Sequence, residues 1–138
     1  MKVFLDTNVL VSAFASRGLC AEVLELVLLD HDLILGRNVI RELRKALREK
    51  VKLPLDRSAD IIEFVSSEAA RIVDKAEPAT VNVDAADALV LGDALAGHAD
   101  LFVTGDAALL RLGAVGALKI VSPRQFWDVL RSNPGSEG

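Results

Sequence analysis

Lys2-Val3-Phe4-Leu5-Asp6-Thr7-Asn8 opens the chain with a short apolar strand that runs straight into a carboxylate. Leu101-Phe102-Val103-Thr104-Gly105-Asp106 repeats the pattern near the other end. In an open α/β sheet, ligands bind in the crevice outside the carboxyl ends of the strands. Two strands that end this way bring acids to one edge of such a sheet, and gathered carboxylates imply a divalent cation.

Between and beyond these two stretches the hydrophobic pattern alternates between strand and helix. Cys20 to Leu29 carries Val23, Leu24, Val27 and Leu28 at helical spacing. Leu33-Ile34-Leu35 reads as a second strand before Gly36. The spacing of Val39, Leu43, Ala46 and Leu47 predicts an amphipathic helix over 39–49 with Asn38 as its N-cap. After Pro54 a further helix starts at Asp56 or Ser58, and a short strand is expected over 71–74. The segment 84–96 is a helix closing near Gly97, 101–103 a strand, 107–112 a short helix and 120–121 a last strand. Pro123 opens the final helix through Phe126, Trp127 and Leu130. Alternation of this kind predicts an α/β domain with a mainly parallel sheet. There is no internal repeat and no linker, so residues 1–131 are expected to form one domain and 132–138 a disordered tail.

Composition narrows the class. At 138 residues with 51% hydrophobic content the chain can bury a core of aliphatic side chains. The single Cys20 leaves no intramolecular disulfide and no zinc framework, and no apolar stretch reaches membrane-spanning length. A soluble, cytoplasmic protein without a signal peptide is the plain expectation. Net charge is −4, yet between Arg37 and Arg57 eight basic residues face three acids. This local excess makes Arg44, Lys45 and Arg48 candidate contacts to a phosphate backbone, against the simpler reading of a solvated helix face.

Four acids stand where structure alone explains them weakly. Asp6 and Asp106 end strands. Glu42 lies three residues after Val39 and four before Ala46, at the border of the buried stripe of its helix. Asp87 lies in a first helical turn before Ala88-Leu89-Val90-Leu91. Each has a plainer role available: turn residue, capping partner of Asp84, or surface ion pair. Together they match the strand ends and helix starts that an α/β crevice collects. Mg²⁺ and Mn²⁺ take carboxylate and water oxygens, and such a cation can activate water against a phosphodiester. His31, His98 and Cys20 stand where a solvated or unpartnered side chain is expected.

In order and spacing, Asp6-Thr7-Asn8, Arg41-Glu42-Leu43, Asp87-Ala88-Leu89-Val90 and Thr104-Gly105-Asp106 resemble the motifs of the PIN-domain ribonucleases, in particular the VapC-like toxin branch. The stretch from Ile120 to Phe126 is similar to the family's final strand and helix. The resemblance implies a three-layer α/β/α sandwich with a mainly parallel central sheet, and Mg²⁺ or Mn²⁺ held by Asp6, Glu42, Asp87 and Asp106 as catalytic carboxylates. It implies Thr104 as a supporting hydroxyl, Asn8 as an orienting amide, endoribonuclease action on RNA, a small antitoxin partner and a homodimer. Where that branch commonly has Asp-Pro-Asp-Asp-Asn, this chain has Asp84-Ala85-Ala86-Asp87-Ala88, which favours a helix cap for Asp84. Two alternatives remain. One is a PIN-like module that binds RNA or protein without cutting. The other, a phosphate-accepting α/β protein, is weakened by Asn8 where phosphatases of that kind carry a second Asp.

Overall fold

Six strands form one sheet in the order β3-β2-β1-β4-β6-β5 in the computed structural model, which describes residues 1–132. Along the chain the elements are β1 Lys2–Leu5, α1 Thr7–Ala15, α2 Leu19–Asp30, β2 Asp32–Gly36, α3 Arg37–Glu49, α4 Leu55–Glu68 and β3 Arg71–Val73. They continue with α5 Ala85–Ala96, β4 Leu101–Val103, α6 Ala107–Leu112, β5 Ala114–Val115, β6 Leu118–Val121 and α7 Pro123–Ser132. All pairings are parallel except β5 with β6. Helices cover the sheet as an α/β/α sandwich: α1 packs on α2 and α3, α3 on α4 and α5, and α2 on α7. Apart from Ser132, the last residue of α7, the expected disordered tail lies outside the described residues.

The chain winds one way from β1 to β2 and β3, then crosses back to β4 and β6. The order therefore reverses between β1 and β4, and a doubly wound sheet opens its crevice at such a reversal. The core beneath is aliphatic with one aromatic seam. Phe4 of β1 and Phe102 of β4 are register partners, fully buried, and their rings stack at 5.3 Å. That contact ties together the two strands that flank the crevice.

One element lies where the sequence expectation left the chain unassigned, and two local readings differ from it. The segment after Asp6 is a helix, α1, whose Thr-Asn-Val-Leu-Val-Ser-Ala-Phe-Ala composition gives it a polar face of only Thr7, Asn8 and Ser12, too short to mark its period clearly. The 120–121 strand extends back to Leu118 and is paired by β5 in a hairpin, with Gly116 at φ 60° in the turn. Helix α3 starts at Arg37 with Gly36 as N-cap, so Asn38 is not the cap.

The physical reason for that last shift lies in α5. Asp93 is 1% exposed and reaches across to the start of α3, where its carboxylate accepts from Asn38 Nδ2 at 2.9 Å. It also accepts from the Asn38 backbone N–H, so a side chain from another helix supplies the cap that Gly36 cannot. Burial pushes the Asp93 carboxyl above its usual range, and the Asn38 bonds and the nearby Arg41 charge pull it partly back. Gly36 has room for no side chain, because a Cβ there would strike the Asp93 carboxylate. This clamp fixes α3, which carries Glu42, to α5, which carries Asp87. Gly36→Ala is expected to lower stability by about 1–3 kcal/mol through overpacking. In a double-mutant cycle by chemical denaturation, Asp93→Ala should absorb part of that loss; strictly additive effects would contradict the contact.

Candidate active site

Strand register sets the first half of the site. Leu5 pairs with Val103, and the next residue, Asp6, donates its backbone N–H to the Val103 carbonyl at 3.0 Å. One step past that pair, Asp6 and Thr104 meet: Thr104 Oγ1 donates to Asp6 Oδ2 at 2.8 Å. Both are buried, Thr104 at 0% and Asp6 at 7% exposure. The same hydroxyl accepts from the Asp106 N–H at 3.0 Å, using both faces of its hydrogen-bonding capacity. Asn8 Nδ2 donates to Asp6 Oδ2 at 3.1 Å, while Asn8 Oδ1 accepts from the Gly105 N–H at 2.8 Å. The loops after β1 and β4 are thus laced through Asp6, Asn8 and Thr104.

Helix starts orient the acids. Asp6 is the N-cap of α1, where its Oδ1 accepts from the Thr7 N–H at 2.8 Å. Asp106 caps α6, accepting from the Ala108 and Leu109 N–H groups at 2.8 and 3.3 Å. Asp84 caps α5 by accepting from the Asp87 N–H at 2.8 Å, in agreement with the cap reading of that residue. Glu42 comes in from α3, and its Oε1 accepts a short 2.5 Å bond from Thr7 Oγ1.

Asp6, Glu42, Asp87 and Asp106 line one cleft of about 510 Å³ together with Thr7 and Asn8. Their proximity is visible in Asp87, whose carboxyl is pushed up to about 6. Burial is the largest cause, followed by the charges of Asp84, Asp106, Asp6 and Glu42. Burial also raises Asp6, against the bonds from Thr104, Thr7 and Asn8. The carboxylates ring the cleft rather than converging: among the described residues no three His, Cys, Asp or Glu side chains are grouped as direct ligands of one ion. Such a ring fits a hard cation that keeps much of its water, since Mg²⁺ is commonly held through one or two carboxylates with waters completing the octahedron.

Other candidates fall outside the cleft or at its rim. Lys45 lines it, as do Glu49 and Lys50, whereas Arg44 and Arg48 face outward on α3. His31 is half-buried rather than solvated, its ring edge-on to Phe126 at 6.0 Å and its Nδ1 against the Met1 amine at 3.2 Å. His98 is exposed after α5. Cys20 is half-buried near the start of α2 and bonded to the Ser12 side chain, so it does have a partner. Sequence reasoning overlooked two contributors: Thr7, which holds Glu42, and Asp93, which holds α3. The second left a signal, an acid interrupting the apolar run of α5.

An α/β sandwich with acids at the strand reversal defines a class, and comparison names it. The sequence pattern of the PIN domain matches residues 2–108, and the chain belongs to that family. Among solved structures the fold is similar to a chain in the crystal structure of VapBC2 from Rickettsia felis bound to a DNA fragment from their promoter. The TM-score is 0.65 at 18% identity, covering 88% of this chain and 98% of that one. No curated protein matches the sequence. Among the described residues no helix is long and apolar enough to cross a membrane.

The crowding of Asp87 predicts a pH effect of definite sign. Its unfolded pKa is about 4 and its folded value about 6, so between them the folded state binds more protons. Stability of the metal-free protein should therefore fall as pH rises through that window. Asp87→Asn should raise the melting temperature at neutral pH and flatten part of the decline in a thermal-denaturation series; an unchanged profile would contradict the crowding.

Proposed function

We propose that the cleft is the active site of a metal-dependent endoribonuclease, with Asp6, Glu42, Asp87 and Asp106 as its carboxylates. The observation that carries this reading is that acids from four separate segments line one cleft at the strand reversal and together raise Asp87. Membership of the PIN domain family, whose members are generally nucleases, supports it. Mg²⁺ or Mn²⁺, when bound, would orient and polarise a water and offset negative charge on the phosphodiester. Asp6 and Asp106 are the strongest candidates to hold the ion, because each is fixed by several hydrogen bonds that leave carboxylate lone pairs free. Thr104 and Asn8 support Asp6 in that orientation, and Thr7 holds Glu42 at the rim.

The biological role we propose is the toxin of a toxin–antitoxin pair, acting in the cytoplasm, dimeric, and restrained by a small antitoxin protein. Its support is the likeness to a chain from the VapBC2 complex. Residues 1–131 would then form one nuclease domain. A second reading, a PIN domain that binds without cutting, draws on one observation: the Glu42 carboxylate is engaged by Thr7.

Cleavage assays separate the two. Purified protein with Mn²⁺ is expected to cut single-stranded RNA, and EDTA should stop it. Asp6→Asn and Asp106→Asn should each lower the single-turnover rate at least about a hundredfold, the scale of losing a preorganised charge-stabilising group, while circular dichroism stays native. Absence of cleavage under all metal conditions, or full activity in Asp6→Asn, would favour the binding module.

A further inference from the structure

Three grooves meet around α3. The acidic cleft shares Lys45 and Glu49 with a second groove of about 600 Å³ over the outer face of the helix. That groove in turn shares Arg41 and Arg44 with a third, of about 420 Å³, beside the end of β3. The surface is therefore continuous from the acids to β3.

Helical geometry sorts the charges along it. At about 100° per residue, Arg41, Arg44 and Arg48 fall within an arc of about 60° opposite the buried Val39–Leu43–Ala46–Leu47 stripe. Lys45 lies between that arc and Glu42. The four cations span about 10 Å along the axis at the α-helical rise, and all four are exposed. Arg41 donates to Asn38 Oδ1 at 3.0 Å, while Arg44, Lys45 and Arg48 have no ion pair among the described residues. Arg37, by contrast, is paired with Asp74 at 3.1 Å, and both line the third groove. Leu55, 66% exposed, and Ile72, 39% exposed, add apolar surface to the second and third grooves.

A row of guanidinium groups beside apolar contacts, with Arg44 and Arg48 free of ion pairs among the described residues and the row opening directly into a carboxylate cleft, matches a polyanion whose other end lies at those carboxylates. We propose that Arg41, Arg44, Lys45 and Arg48 form the track on which a single RNA strand lies, its backbone crossing α3 outward from the acidic cleft. This rests on the reading of the cleft as a ribonuclease site and assigns the strand's course away from it. The four cations hold about four phosphates, while Arg37 contributes little because Asp74 neutralises it. Bases turned toward α3 pack on Leu55 and Ile72. The acidic remainder of the molecule repels the strand elsewhere, so the path is set by repulsion as well as attraction.

Binding of a fluorescein-labelled twelve-nucleotide single-stranded RNA to the Asp6→Asn protein, followed by anisotropy against salt, tests the track separately from cleavage. Four phosphate contacts on a single strand give a log–log salt slope of about −3, so affinity should fall roughly fiftyfold from about 50 to 200 mM salt. Arg44→Ala with Arg48→Ala should halve the slope, leaving a fall of roughly sevenfold, whereas Arg37→Ala should leave it unchanged. In the otherwise wild-type enzyme the double variant should raise KM with kcat little altered. Wild-type slope in the double variant, or equal loss from Arg37→Ala, overturns the track even if RNA is cut. Competition by a twelve-residue poly-glutamate peptide as strong as that by unlabelled RNA would reassign the surface to an acidic protein segment. If the slopes behave as expected but the wild-type protein cuts no RNA, the ribonuclease reading fails and the track stands.

Discussion

The pairing of β1 with β4 is the constraint on which the site depends. Because Leu5 sits opposite Val103, the next residue on each strand is a buried polar group, and the two satisfy each other through the 2.8 Å Thr104–Asp6 bond. A slip of one residue would turn one of the two side chains to the other face of the sheet and leave a buried carboxylate unpaired. The Phe4–Phe102 stack and the Asp6 N–H to Val103 carbonyl bond hold the register from below. Everything polar at the crevice is then arranged relative to that seam: Asn8 bridges to Gly105, and Asp106 hangs from the Thr104 hydroxyl.

The helices bring the remaining acids to this seam at an electrostatic cost. Asp87 and Asp6 are both raised by burial and by neighbouring carboxylates, so the cleft in its metal-free form opposes its own ionisation. The fold tolerates this because α3 and α5 are fastened elsewhere, through the Asp93 carboxylate lodged over Gly36 and bonded to Asn38. Crowded acids held by a separate clamp are what a cation-binding site requires. The charge excess lowers stability as Asp87 ionises, and the clamp between α3 and α5 offsets part of that cost.

Much of this was legible in the sequence because strong signals coincide. The apolar runs 3–5 and 101–103 end in acids, and the heptad-like spacing of Val39, Leu43, Ala46 and Leu47 fixes which face of α3 is buried, and so where Glu42 lies. Asp84 was readable as a cap from its position three residues before Asp87. What escaped was nonlocal or featureless. The run Thr7–Ala15 has only Thr7, Asn8 and Ser12 as polar residues, so its period is faint, and the β5 strand of the hairpin is only two residues long. Asn38 looked like an N-cap by local rules, but the capping carboxylate arrives from Asp93, 55 residues away in sequence. No local pattern carries that information, and the same holds for the bond from Thr7 to Glu42.

Whether these four acids hold a divalent cation is read out by Mn²⁺ binding followed by electron paramagnetic resonance. Wild-type protein should remove the free-ion signal in a saturable titration, and Asp6→Asn and Asp106→Asn should each weaken binding by about tenfold or more, the scale of a lost charged contact. Equal Mn²⁺ affinity in all three proteins would contradict cation binding by these acids.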